Sequence, residues 1–138
     1  MLQLTPNILQ TLQKDAADSF PDECCGFFYG NVSDEVKTIT RVHPVFNAKE
    51  GDKKRRFEIS PREYMKAERF ADEQGLTLLG VYHSHPQHPA IPSETDRLAA
   101  QPVFSYVIIP VYDSVTGIAR SWTLNEDNLF DEETILIQ

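Results

Sequence analysis

Cysteine is nearly absent from this 138-residue chain: there are two, adjacent at Cys24 and Cys25. Neighbouring thiols do not make a disulfide framework. Their scarcity excludes the small stapled secreted folds and favours a reducing, cytoplasmic setting. Long apolar runs are missing as well. None approaches the roughly 18 residues that span a bilayer, and residues 1–7 lack the basic and apolar stretches of a secretory leader, so no membrane partner is expected. Glycine is sparse, six residues against nine prolines, which excludes a collagen-like chain or a flexible linker. Positive charge is also in short supply, with 13 Lys+Arg against 21 Asp+Glu and a formal net charge of −8. An anionic chain is a poor holder of nucleic acid through its overall field.

What is present suits one ordinary globular domain over residues 1–138, without repeats or low-complexity tracts. Thr5-Pro6 opens a helix running to residue 19, with Thr5 as N-cap and Phe20-Pro21 as the break. A short buried strand is expected over 23–30 and a β-branched one over 36–42. The second continues through Val45 and Phe46, with His43-Pro44 expected to interrupt its pairing. Residues 47–56 read as a charged loop, and Phe57 to Ile59 as a return to strand. Ser60, Pro61 and Glu63 form a helix start with a capping box, and Gly75 ends that helix after Gln74. Leu76 to Tyr82 reads as a central strand, apolar on both faces. A short helix from Ser93 to about Ala100, strands at 104–111 and 118–124, and a tail that is either strand or short helix complete the order. The fold class is α/β, a mixed central sheet flanked by helices.

Three histidines, His83, His85 and His88, fall within six residues where the central strand ends. Side chains alternate along a strand, so the imidazoles of a His-x-His pair lie on one side of the chain. Asp96 follows at a short distance and offers a carboxylate. Two imidazoles and one carboxylate would leave a divalent metal with net positive charge and a fourth position for water, the description of a catalytic zinc site. Iron or cobalt would accept similar ligands. Ser93 and Asp96 are equally an ordinary helix cap, and the two readings are compatible. Glu23 sits at the edge of an apolar strand, where desolvation raises a carboxyl pKa toward the range of a general base.

The residues His83-Ser84-His85, then seven residues, then Ser93, two residues and Asp96 reproduce the signature of the JAMM (MPN-plus) zinc metallopeptidases. An upstream Glu23-Cys24-Cys25-Gly26 and the stretch Leu79 to Pro86 resemble that family too, and the resemblance runs from about residue 3 to 130. It implies the cytidine-deaminase-like JAMM/MPN fold and one Zn²⁺ per chain, bound by His83, His85 and Asp96. It implies that Glu23 orients and deprotonates the zinc-bound water, then protonates the leaving amine. Ser93 would hydrogen-bond the carbonyl oxygen as it becomes an oxyanion. His88 is extra to the motif and reads as a rim residue.

In size the chain resembles the compact prokaryotic members that act on ubiquitin-like sulfur carriers. The implied partner is such a carrier, presenting a C-terminal Gly-Gly tail to a narrow channel or an exposed sheet edge. Lys53 to Arg56 form either a contact for an acidic partner or a solvated loop. Cys24 and Cys25 read as buried small apolar side chains, with zinc ligation or redox work by Cys25 the alternative. Trp122 and the phenylalanines read as core. A peptidase acting on short cell-wall or phage-type peptides and a non-catalytic MPN-type interaction module are the other functions open at this point. The chain is either a monomer or a homodimer.

Overall fold

The computed structural model describes all of residues 1–138. Nine strands and three helices follow the order β1 (Leu2–Leu4), α1 (Pro6–Ser19), β2 (Cys25–Ser33), β3 (Val36–Val45), α2 (Pro61–Gln74), β4 (Thr77–Pro86), α3 (Glu94–Ala99), β5 (Ser105–Tyr112), β6 (Val115–Thr116), β7 (Arg120–Leu124), β8 (Phe130–Glu133) and β9 (Ile135–Ile137). All strands join one mixed sheet, ordered β8-β7-β5-β4-β2-β3-β1-β9, with β6 folded back on the end of β5. Strand β4 is central, antiparallel to β2 and parallel to β5.

The helices cover opposite faces. Thr5 caps α1 by accepting from the Ile8 N–H, and Leu12 and Ala16 pack with Leu4, Phe28, Leu79 and Tyr82. On the other face α2 brings Ala67 and Ala71 against Cys25, Phe27, Tyr29 and Val81. Ser60 caps α2, accepting from the Glu63 N–H at 3.3 Å. The reciprocal half of the expected box is not formed, since Glu63 turns to Lys66 at 3.6 Å. Gly75 ends α2 in the left-handed region at φ 66°.

Strand β4 is not regular. Phe28 pairs with Gly80 and Tyr29 with Leu78, so Leu79 is an extra residue on β4. Such a bulge reverses the alternation of faces. Leu79 and Tyr82 therefore both point to α1, while Val81 faces α2. This is the physical content of a run that reads as apolar on both sides. It also sets the phase with which β4 delivers His83 and His85. Gly80 lies against β5 so closely that a Cβ there would sit 1.8 Å from the Ser105 carbonyl oxygen.

Several expectations need correction. Residues 57–59 are not a strand, although Ile59 is buried and Phe57 half-buried, as their alternation suggests. The Asn47 side chain occupies their backbone instead, accepting from Glu58 N–H at 3.1 Å and donating to the Arg56 carbonyl at 3.1 Å. His43-Pro44 does not interrupt β3, which pairs with β2 through Phe27–His43, Gly26–Pro44 and Cys25–Val45. Strand β1 reaches only Lys37 and Thr38, so β3 is an edge beyond that point and tolerates a residue without an N–H. The strand expected over 23–30 is β2, which begins at Cys25 and extends to Ser33, leaving Glu23 just before it. Strand β1 was not expected, and the tail is strand in both its halves. No helix is long and apolar enough to cross a membrane.

Candidate metal centre

Strand β4 carries His83 and His85 to the rim of the sheet on the face shared with α2, where both are buried. The His83 ring stacks on Phe57, centroids 4.5 Å apart and planes at 24°. Its Nδ1 is buried without a hydrogen-bond partner, so packing orients this ring. His85 is held differently: its Nδ1 lies 2.9 Å from the Pro89 carbonyl oxygen. That carbonyl can only accept, so the proton sits on Nδ1 and the Nε2 lone pair is free.

Asp96 arrives on α3. Ser93 caps this short helix, its Oγ accepting from the Asp96 N–H at 3.0 Å, while the Ser93 N–H donates to Asp96 Oδ2 at 2.9 Å. The reciprocal pair fixes the carboxylate. The helix-cap reading of Ser93 is thus correct, and it is the cap that aims Asp96.

The outcome is a triangle of three atoms. His83 Nε2 and His85 Nε2 are 3.1 Å apart, and Asp96 Oδ2 lies 3.3 Å from the first and 3.2 Å from the second. A tetrahedral ion with bonds of about 2.0–2.1 Å separates its ligand atoms by about 3.3 Å. The three edges match one face of that tetrahedron, and the donors, two imidazoles and a carboxylate, suit zinc. These three residues form a group capable of holding a metal ion, and His88 is not part of it.

The electrostatics of His83 and Asp96 agree with a ligand role. Burial lowers the pKa of His83, keeping its ring neutral as a ligand must be. Burial works against ionisation of Asp96, but the facing His83 and His85 rings and the Ser93 N–H outweigh it and hold the carboxyl well below its usual range. For His85, burial is overcome by the Asp96 carboxylate and the Pro89 carbonyl, and its pKa rises.

Glu23 is buried beside this cluster. Its N–H donates to the Lys53 carbonyl at 2.7 Å, and its own carbonyl accepts from Asn47 Nδ2 at 3.2 Å. Burial pushes the Glu23 carboxyl up to about 8, against the opposing pull of His85 and Arg56. Glu23, Arg55, Arg56, His85, His88 and Ser93 line a cavity of about 560 Å³. A second, more apolar cavity of about 260 Å³ touches His83 and Asp96 and is lined by Phe57, Ile59, Ile108 and Phe130.

Cys25 is register partner to His83, yet its Sγ meets the Val45 carbonyl at 3.6 Å and burial pushes its thiol up to about 12. Cys24 is buried on the α1 side, where burial likewise raises its pKa. Both behave as small apolar core residues. Two residues that matter to the site carried no signal in the sequence. Phe57 reads as a strand residue and Asn47 as one polar residue in a charged loop, and only the fold shows what each touches.

The family described as prokaryotic homologs of the JAB domain matches residues 5–125 of this chain. A desampylase from Haloferax volcanii is 32% identical over 121 residues, covering 87% of this chain and 84% of that protein. A CysO-cysteine peptidase from Mycobacterium tuberculosis is 24% identical over 139 residues, covering 100% of this chain and 92% of that protein. The solution structure of a protein from Desulfitobacterium hafniense matches with a TM-score of 0.87 at 31% identity, covering 100% of this chain and 93% of the other.

Proposed function

This chain belongs to the prokaryotic JAB-domain family, of the JAMM type, and from that membership we propose that it is a zinc peptidase. It hydrolyses the amide bond after the C-terminal Gly-Gly of a ubiquitin-like or sulfur-carrier protein. The relatives named as a desampylase and a CysO-cysteine peptidase support that substrate class. The observation that carries the reading is the triangle of His83 Nε2, His85 Nε2 and Asp96 Oδ2, with edges of 3.1–3.3 Å, beside a buried carboxyl.

His83, His85 and Asp96 hold one Zn²⁺ per chain. The metal supplies Lewis acidity, acidifying a water and polarising a carbonyl. Glu23, kept basic near neutrality by its burial, accepts a proton from the attacking water and returns it to the leaving amine as the C–N bond breaks. Ser93 Oγ already accepts the Asp96 N–H. Its own proton therefore remains to be donated to the carbonyl oxygen as negative charge develops there.

Replacing Glu23 separates base from ligand. Glu23→Gln keeps its zinc while turnover falls by about 10²–10⁴-fold. Zinc content by elemental analysis and cleavage by mass spectrometry read the two effects independently. Loss of the metal in this variant would make Glu23 a ligand and remove it as the base.

A further inference from the structure

Base and metal ligands come from separate parts of the chain. Glu23 lies just before β2, His83 and His85 stand near the end of β4, and Asp96 rides on α3. A hydrolysis that uses both needs their spacing held to a fraction of an ångström. The peptide that joins Glu23 to Cys24 is bonded at both of its ends. Its carbonyl accepts from Asn47 Nδ2 at 3.2 Å, and its N–H donates to Ser84 Oγ at 2.8 Å. Ser84 is fully buried and stands between the two histidines.

The bond to Ser84 is not the one a regular ladder would make. Cys25 and His83 are the last register pair of β2 and β4 at this end, and the next pair would be Cys24 with Ser84. A hydrogen-bonded antiparallel pair exchanges two backbone bonds. The first is made, from Ser84 N–H to the Cys24 carbonyl at 3.2 Å. The second is not, because the Cys24 N–H turns to the Ser84 hydroxyl instead of the Ser84 carbonyl. Alternation along β4 sends the two imidazoles to one face and the Ser84 side chain to the other. There it lies on the side of Cys24, and it lines neither cavity beside the triad. Its hydroxyl therefore meets neither substrate nor metal and serves the Cys24 amide.

We propose that Ser84 is a positioning residue for the base: its hydroxyl clamps the Glu23–Cys24 peptide to the segment that carries both histidine ligands. Resting on the zinc-peptidase reading above, this clamp makes the base and the histidines one rigid unit. Fixing that peptide plane fixes the direction in which the Glu23 side chain leaves the backbone. The ligands have supports of their own, with Phe57 against His83, the Pro89 carbonyl on His85 and the Ser93 cap on Asp96. Loss of the Ser84 hydroxyl leaves a buried N–H unpaired and lets the base shift while the ligands stay. A serine that only filled space would behave otherwise. Its loss would weaken zinc binding and turnover together, whether or not Glu23 is present.

The zinc-loaded full chain and a carrier ending Gly-Gly-Ala supply the test. Ser84→Ala should lower kcat at least about 10-fold, with KM and zinc affinity (by chelator competition) held within about twofold. Ser84→Thr, which keeps the hydroxyl, should recover most of that loss. In single turnovers with Glu23→Gln already in place, adding Ser84→Ala should cost less than about twofold further, since the group it positions is gone. A zinc affinity that falls with kcat, or the same loss with and without Glu23, would overturn the assignment. Amide exchange gives a readout free of catalysis. By NMR the Cys24 N–H should exchange at least about 10-fold faster in Ser84→Ala, while the β4 amides keep their protection. Unchanged exchange at Cys24, or normal turnover in Ser84→Ala, would overturn the clamp. If Ser84→Ala does not fold, Ser84→Cys puts a weak acceptor in the same place and must show the same selective loss. A parent chain that cleaves no carrier would sink the peptidase reading, and the Cys24 exchange rates would still decide whether Ser84 holds the peptide.

Discussion

At the residue scale, Glu23 is an acid whose environment opposes its charge. Burial pushes its carboxyl up to about 8, above the ordinary 4.5 that it has in the unfolded chain. A carboxyl raised on folding contributes stability that is complete below the unfolded value and is lost as pH climbs through the folded one. Chelator-stripped protein should therefore lose up to about 3–5 kcal/mol between pH 4.5 and 8 from this group. In Glu23→Gln that loss disappears, and melting curves at pH 5 and pH 8 should show a much smaller difference than in the parent. An unchanged difference would mean that Glu23 is not desolvated. Asn47 gives a second prediction. Its side chain makes bonds to Glu23, Lys49, Arg56 and Glu58, and Asn47→Ala leaves several buried groups unpaired, at about 1–3 kcal/mol. Turnover should fall more than tenfold while zinc is retained, because the base moves and the ligands do not. Zinc loss in step with activity would indicate general unfolding instead. The metal cluster is legible in the sequence because its residues are rare types at short spacing on a strand end and a helix cap. Asn47 is not legible, since its partners come from the loop that follows it and from Glu23 just before β2, which only the fold brings together.

Among the elements, the bulge in β4 decides where the histidines point. Leu79 takes the extra position and Gly80 follows it, pressed against β5. Gly80→Ala would place a Cβ 1.8 Å from the Ser105 carbonyl oxygen and 2.8 Å from Phe28 Cζ. Strands β4 and β5 would have to separate, three residues before His83. We expect destabilisation of about 3 kcal/mol or more and a lowered zinc affinity, read by denaturant unfolding and by competition with a chelator. Wild-type stability and affinity in this variant would contradict the register. Helices were the most legible elements, since Thr5, Ser60, Ser93 and Gly75 act as the caps their types suggest. Residues 57–59 alternate like a strand without being one, because alternation reports burial, not pairing, and Asn47 supplies partners a neighbouring strand would have offered.

For the molecule as a whole, the sheet curls until its ends meet. Strands β8 and β9 lie at opposite ends of the strand order, yet only Thr134 separates them in the chain. The Leu2 N–H donates to the Thr134 carbonyl at 2.9 Å, extending the β1–β9 pairing into this link. This closure was hidden in the sequence, because Phe130 to Glu133 is acidic and β1 and β9 have three residues each. The α/β class was readable from element order, and the placing of a buried carboxyl beside the His-His-Asp triangle was not. The central claim is that this arrangement hydrolyses an amide through a bound zinc ion. It is tested most directly by measuring zinc in the purified chain alongside mass spectrometry of a carrier ending Gly-Gly-Ala. We predict one zinc per chain and release of alanine after Gly-Gly, abolished by a chelator and restored by zinc. A metal-free chain, or cleavage that persists unchanged after the metal is stripped, would contradict it.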